Sequence, residues 1–341
     1  MNLKSPTSNV IVTKLRSLYG KSLDSSAYEQ LINKYSVSGV ASYLKNETLY
    51  SSTLESINEN SIHRGQLELL LKISNFDKYR DLFYYKTNEN FNMFKYVILK
   101  NELEQMMIAI RLFNTGEMKK YAVDLPVFLL KYTKIDLKKI ADAKNFDDLL
   151  DLSKETIYYK SLKQFKPIDG KIDIVRCETE LRKTFYNKII SLIDKKDKKT
   201  LEILLLDIEI LNISIIYRLK KFFNKDKEYI KSCLLPFFYY LSEEIIDKMI
   251  DSKTTQEMLK IILTTKYKKY CDENFFSDIS FFSKKILYNI LKKGIRFTNS
   301  SQYVMISYIY LMDIELKNII TIIECIGYKF ETKEIKKFLI I

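Results

Sequence analysis

A short helical pattern returns three times along the chain at almost constant spacing, and this recurrence limits the fold more than any other feature. Glu102-Leu103 opens a stretch whose apolar residues fall at Leu103, Met106, Met107 and Ile110, with Arg111 behind them. Glu209-Ile210 opens the second, with Ile213, Tyr217 and Arg218 in the corresponding places and Ser214 where Met107 stood. The third begins at Glu315-Leu316 and continues through Ile319, Ile320 and Ile323. The three Glu residues lie 107 and 106 positions apart. Apolar residues three and four apart make one stripe of an α-helix.

A second marker keeps the same period. Leu or Ile, then Thr four residues on, then Tyr two further recurs as Leu44/Thr48/Tyr50, Leu152/Thr156/Tyr158 and Ile261/Thr265/Tyr267, at offsets of 108 and 109. Two different markers in one order at one period predict three copies of one module, over 1–118, 119–224 and 225–341. The length agrees, because a single core stops growing efficiently near 250 to 300 residues. Only seven Gly and four Pro occur among 341 residues. Long stretches without either suit helices joined by short turns rather than many hairpins, so the expected class is all-α.

Within each module the pattern predicts a fixed order of helices. Val10, Leu15 and Leu18 predict a helix ending near Gly20 in a left-handed turn, after a disordered start over Met1 to Thr7. Ser25-Ser26 is the expected cap of a second helix, and a short one follows from Val37 to Leu44. A longer amphipathic helix carries Leu67, Leu70, Leu71 and Ile73, and the Glu102 helix stops at Asn114-Thr115-Gly116. Counterparts are expected at Phe146–Leu152, Ile174–Ile193 and the Glu209 helix, then at Met258–Ile262, Phe281–Leu291 and the Glu315 helix, where Gly327 takes the part of Gly116.

The formal net charge is +13, spread almost evenly along the chain. Groove and backbone binders usually concentrate their charge on one arm or helix, so a broadly basic surface meeting acidic protein or anionic headgroups is expected instead. The four cysteines form no CxxC pair and MNLKSPTSNV holds no apolar run, which predicts a reducing, cytoplasmic setting. The most apolar stretch, Tyr303 to Tyr328, is interrupted by Asp313, Glu315, Lys317 and Glu324. Each would cost about 2.5–3.5 kcal/mol near a bilayer centre, so a buried or interfacial helix is expected there.

The residue types that chemistry needs are sparse. There is one histidine, His63, in a polar segment, and no cysteine cluster, so no metal or cofactor site is expected. Gly20-Lys21-Ser22 has the tail of a phosphate-binding loop, but the earlier Gly would fall at position 15, which is Leu15, and a helix precedes it instead of a strand. The chain is therefore expected to be non-enzymatic. Its candidate site is a packing seam or partner contact: at 100° per residue, Glu102 and Arg111 flank the stripe centred on Leu103. Glu209 and Arg218 flank the second stripe; Glu315 opens the third, where Glu324 takes the Arg place.

These residues resemble the V-ATPase C/AC39 family: the C subunits of archaeal-type and bacterial V-type rotary ATPases, related to the d subunit of the eukaryotic V-ATPase. The resemblance covers nearly the whole chain. It rests on Lys14-Leu15-Arg16-Ser17-Leu18-Tyr19-Gly20, Tyr28-Glu29-Gln30-Leu31-Ile32, Val37-Ser38-Gly39-Val40-Ala41-Ser42-Tyr43-Leu44, the Glu102–Arg111 and Asp207–Arg218 stretches, and Glu315-Leu316-Lys317-Asn318-Ile319-Ile320. Modules two and three share acidic-apolar-x-Asn, while module one has Gln105 in place of Asn.

The resemblance implies a pseudo-threefold, funnel-shaped bundle without an active site. It would sit on the cytoplasmic face of the rotor ring, peripheral to the membrane, and receive the central shaft, so that ATP hydrolysis or synthesis is coupled to H⁺ or Na⁺ transport. Its expected partners are the central-stalk subunits and the membrane ring, with neither nucleic acid nor a small-molecule substrate. The alternatives are a nucleic-acid-binding helical protein and a stand-alone α-helical interaction scaffold. A scaffold built of short helical repeats would show a period of about 40–47 residues.

Overall fold

The computed structural model describes residues 6–82, 92–271 and 279–341, and among them the protein is all-helical. In chain order the helices are α1 (Pro6–Tyr19), α2 (Ser25–Ile32), α3 (Val37–Glu47), α4 (Ser51–Leu54), α5 (Arg64–Asp81) and α6 (Met93–Thr115). The middle of the chain follows with α7 (Leu137–Ile140), α8 (Phe146–Leu152), α9 (Tyr159–Leu162), α10 (Ile174–Leu192), α11 (Lys198–Phe223), α12 (Lys227–Ser232), α13 (Glu243–Asp251) and α14 (Thr255–Ile262). The last three are α15 (Ile279–Phe297), α16 (Ser301–Gly327) and α17 (Thr332–Phe338).

Two compact units account for these elements. One combines Met1–Met93 with Ser280–Ile341, and the other is Phe94–Ile279. The first is built from both ends of the chain. Its axis is α16, whose first twelve residues after the Ser300 cap are almost all buried. That is the pattern of a helix surrounded on every side rather than one with a single wet face. Leu31, Val40, Ala41, Leu44, Leu54, Leu67 and Leu71 close on Ile319, Ile322 and Ile323 of α16, with Ile335 and Leu339 sealing the far end. Each such Leu, Ile or Val side chain contributes about 1.5–3 kcal/mol on leaving water.

The second unit is organised on α11, which buries Ile203, Leu204, Ile208, Ile213 and Ile216. The α11 helix packs against α10, α12 and α14. Its ends are set by side chains: Asp197 accepts from the Thr200 N–H at the start, and Asn224 at φ 42° turns the chain left-handed at the end. Asp173, Asp226, Ser242 and Thr254 cap other helices of this unit in the same way. A side-chain cap is worth about 1 kcal/mol.

Several local expectations needed correction. The α1 helix begins at Pro6, where Pro fits the first turn, so the predicted start over Met1 to Thr7 is helical at its end; Met1 to Ser5 lie outside the described residues. Asp24, not Ser25, caps α2, because its carboxylate reaches the Ala27 N–H at 2.8 Å. Gly116 has the left-handed φ of 70°, but Gly20 does not, and at the end of α16 it is Lys329, at φ 60°, rather than Gly327 that turns left-handed.

Candidate functional site

The Leu/Thr/Tyr marker does the same local work at each occurrence. The Thr hydroxyl donates to a carbonyl in, or directly after, the helix that is ending: Leu44 for Thr48, Ser153 for Thr156, Ile262 for Thr265. It accepts from the N–H of the Tyr two residues on, at 3.1–3.2 Å. A hydroxyl that competes for backbone groups in this way stops a helix and fixes the next turn. The turn drives Tyr50, Tyr158 and Tyr267 fully into the interior, each at most 1% exposed.

Glu209 and Glu315 meet two of these tyrosines. The Glu315 carboxylate accepts from the Tyr50 hydroxyl at 2.9 Å and from the Leu23 N–H at 2.7 Å. Glu209 accepts from the Tyr267 hydroxyl at 2.5 Å and from three successive backbone N–H groups, Tyr239, Tyr240 and Leu241, at 2.8–3.0 Å. Glu102 accepts from the Lys134 N–H at 2.8 Å and the Thr133 hydroxyl at 3.2 Å, while the Tyr158 hydroxyl donates to the Leu99 carbonyl, one turn before Glu102. In each case one helical carboxylate collects donors from a loop that is remote in sequence.

All three carboxylates are buried, at 3%, 0% and 5% exposure for Glu102, Glu209 and Glu315. They were expected at the rim of the apolar stripe; the loops that drape over the helices turn the rim into interior. Burial raises the pKa of Glu315 and of Glu102, partly opposed by the hydrogen bonds to each carboxylate. Burial and the neighbouring carboxylate also raise the Tyr50 and Tyr267 hydroxyls, which therefore remain donors. Behind Tyr50, the Lys78 ammonium lies 4.2 Å from the ring centroid, and burial lowers its pKa.

The Asn of the shared motif clasps backbone. Asn212 exchanges two hydrogen bonds with Leu235, and Asn318 does the same with Ile340, at 2.8–3.0 Å. Gln105 instead accepts from the Tyr121 hydroxyl at 2.7 Å. An amide side chain can satisfy one N–H and one C=O of a passing segment at once, which fixes its position without burying net charge.

The basic members behave differently. Arg111 pairs with Glu178 of α10, through its Nε at 2.6 Å. Arg218 is exposed, and no ion pair joins it to another described residue. Glu324, at the corresponding place, is bound by Arg64, so the sign of that contact is reversed. The sequence marks Tyr50 and Tyr267 but not their pairing with Glu315 and Glu209, which the shared period of the Glu and Tyr markers could have revealed.

Among the described residues no three His, Cys, Asp or Glu side chains are grouped to hold a metal ion. Gly20-Lys21-Ser22 is no phosphate cradle, because its N–H groups bond to Arg16, Leu18 and Tyr19 carbonyls at the end of α1. None of the described helices is long and apolar enough to cross a membrane.

The family model for the ATP synthase (C/AC39) subunit matches residues 11–338. The chain belongs to that family. The C subunit of the A-type ATP synthase of Thermococcus kodakarensis is 23% identical over 336 residues, covering 95% of this chain and 88% of that protein. The C/AC39 match spans all three Glu positions and all three Thr/Tyr markers.

Proposed function

We propose that this C/AC39 protein is a non-catalytic coupling piece of a rotary ATPase. It joins the central shaft to the membrane rotor ring on the cytoplasmic face, peripheral to the bilayer, so that ATP turnover and ion movement are mechanically linked. The family match over 11–338 carries this reading, together with the relative whose name places it in an A-type ATP synthase.

The joints around the buried carboxylates support it physically. A body that passes torque must not shear, and close-packed interiors deform little. Hydrogen bonds to a charged acceptor, worth about 1.5–3 kcal/mol each, resist sliding of a loop along its helix. Glu209 gathers four such donors. On the same reading the chain is three copies of one module over 1–118, 119–224 and 225–341, arranged as a pseudo-threefold funnel. Glu102, Glu209 and Glu315 then act as seam residues, each reaching from one module into the next with the third closing onto the first; Arg111 joins the first seam through Glu178, and exposed Arg218 is a partner contact.

The experiment is a tagged chain recovered from native membranes with identification of what accompanies it. Shaft and ring proteins should co-purify, and membranes lacking the chain should hydrolyse ATP without moving ions. Recovery of the chain free of every other ATPase component would sink the proposal, as would robust ATP turnover by the pure chain.

A further inference from the structure

In the unit built from the two chain ends, a cavity of about 370 Å³ lies between the α1–α2 turn and the facing stretches of α15 and α16. Its polar wall includes Tyr19, Tyr28, Tyr288, Lys292, Arg296 and Arg16. Leu311, Met312 and Ile314 supply an apolar wall. The turn that contributes Gly20 and Ser22 is the segment with the phosphate-loop spelling, and its amides are already spent within α1. Those backbone groups are therefore not open to a ligand.

The donors and acceptors do not balance. Tyr19 and Tyr288 make no hydrogen bond through their hydroxyls to a described residue, and Tyr28, 5% exposed, only accepts there, from the Asn318 amide at 3.3 Å. Burial and neighbouring charge push the Tyr19 pKa up to about 12, so its hydroxyl keeps the proton. The Lys292 ammonium sits 5.1 Å from the Tyr288 ring centroid, and Arg296 lies close enough to oppose the rise in the Tyr19 and Tyr288 pKa values. Arg16 is immobilised by the Ile295 and Thr298 carbonyls at 2.8 and 2.7 Å.

Two carboxylates also face the cavity, and both are engaged. Asp24 caps α2 through the Ala27 N–H, and Glu315 accepts from Leu23 and Tyr50 with Lys78 behind the ring. What remains is three phenol donors and cations that no carboxylate neutralises among the described residues. Convergent donors beside an apolar wall, in a concavity of this size, match a ligand with an anionic head and an apolar body.

We propose that this cavity binds a small organic anion, with its phosphate or carboxylate head on Arg296, Lys292 and the Tyr19 and Tyr288 hydroxyls and its apolar body against Leu311, Met312 and Ile314. The site is independent of the rotary role: it requires neither shaft nor ring. Occupancy would tie the α1–α2 turn to α15 and α16.

Thermal unfolding of the full chain with phenyl phosphate, benzoate or inorganic phosphate, at matched ionic strength, tests this. At saturating millimolar concentrations, at least one of the two aromatic anions should raise Tm by about 2 °C or more, with inorganic phosphate giving less. The shift should vanish in K292E/R296E and weaken in Y288F, both checked for wild-type helicity. Absence of a shift with both aromatic anions would overturn the proposal. So would an equal shift with inorganic phosphate, or one retained in K292E/R296E; if that double variant fails to fold, a Y288F shift equal to wild type decides against it.

Discussion

The Tyr50 hydroxyl donates a 2.9 Å hydrogen bond to the Glu315 carboxylate, closing a contact between positions 265 residues apart in the chain. Glu315 is a buried acid whose pKa is raised above 4.5, chiefly by desolvation. The native state therefore holds the proton to higher pH than the unfolded chain does. Stability from this group is complete below pH 4.5 and declines as pH rises through the native pKa, since there the native state binds more protons than the unfolded one. In E315Q this dependence is absent. Denaturant unfolding between pH 4 and 7 should show the stability of wild type minus E315Q falling as pH increases; a difference that grows with pH would contradict the assignment.

Glu209 offers the largest effect of a single polar change. Its two oxygens satisfy the N–H groups of Tyr239, Tyr240 and Leu241 and the Tyr267 hydroxyl. Glutamine keeps one acceptor and turns an NH₂ toward buried donors. E209Q should lose about 2–4 kcal/mol in urea unfolding. E102Q should cost less, because both donors to Glu102 use one oxygen that glutamine can keep. Equal losses in the two variants would mean that the placement of the donors does not set the strength of these joints.

Helix positions were legible where the local code is complete. Asn145 with Asp148 forms a capping box, and the predicted Phe146–Leu152 helix is found with those bounds. The Asn114-Thr115-Gly116 stop was legible too, because the left-handed turn favours Gly. The burial of Glu102, Glu209 and Glu315 was not. A helical wheel ranks the faces of one helix but carries no information on which distant loop will cover it. Leu23 and Glu315 meet only after the two chain ends have assembled into one unit. The same limit hid the partners of Tyr50 and Tyr267.

Asn318 tests whether the clasp on the last residues matters. It gives one hydrogen bond to the Ile340 carbonyl and takes one from its N–H. N318A leaves both backbone groups buried without partners and should cost about 1–3 kcal/mol. Hydrogen exchange at the Ile340 amide should accelerate by at least tenfold while that of Leu235, held by Asn212, stays unchanged. Unaltered protection at Ile340 would show that α17 packing alone fixes the segment.

The two arginines of the repeat should respond differently to charge reversal. Arg111 faces Glu178, which also holds Arg182, so R111E places two carboxylates together and should cost about 1 kcal/mol. Arg218 is exposed, and R218E should change stability by less than about 0.5 kcal/mol. A seam role for Arg218 within the isolated chain would instead make the two losses equal.

Gly294 is a packing requirement rather than a conformational one. A Cβ built there would overlap the hydroxyl and ring of Tyr303, which is itself buried. The α15 and α16 helices approach closely at this point because one residue lacks a side chain. G294A gains intrinsic helix propensity of about 1 kcal/mol, yet it must push aside a rigid ring in a filled core, at a cost of about 1–3 kcal/mol. The steric cost should prevail, lowering Tm, and the double variant G294A/Y303F should recover part of the loss because the overlapping hydroxyl is gone. A G294A protein more stable than wild type would show that the two helices can separate freely at this crossing.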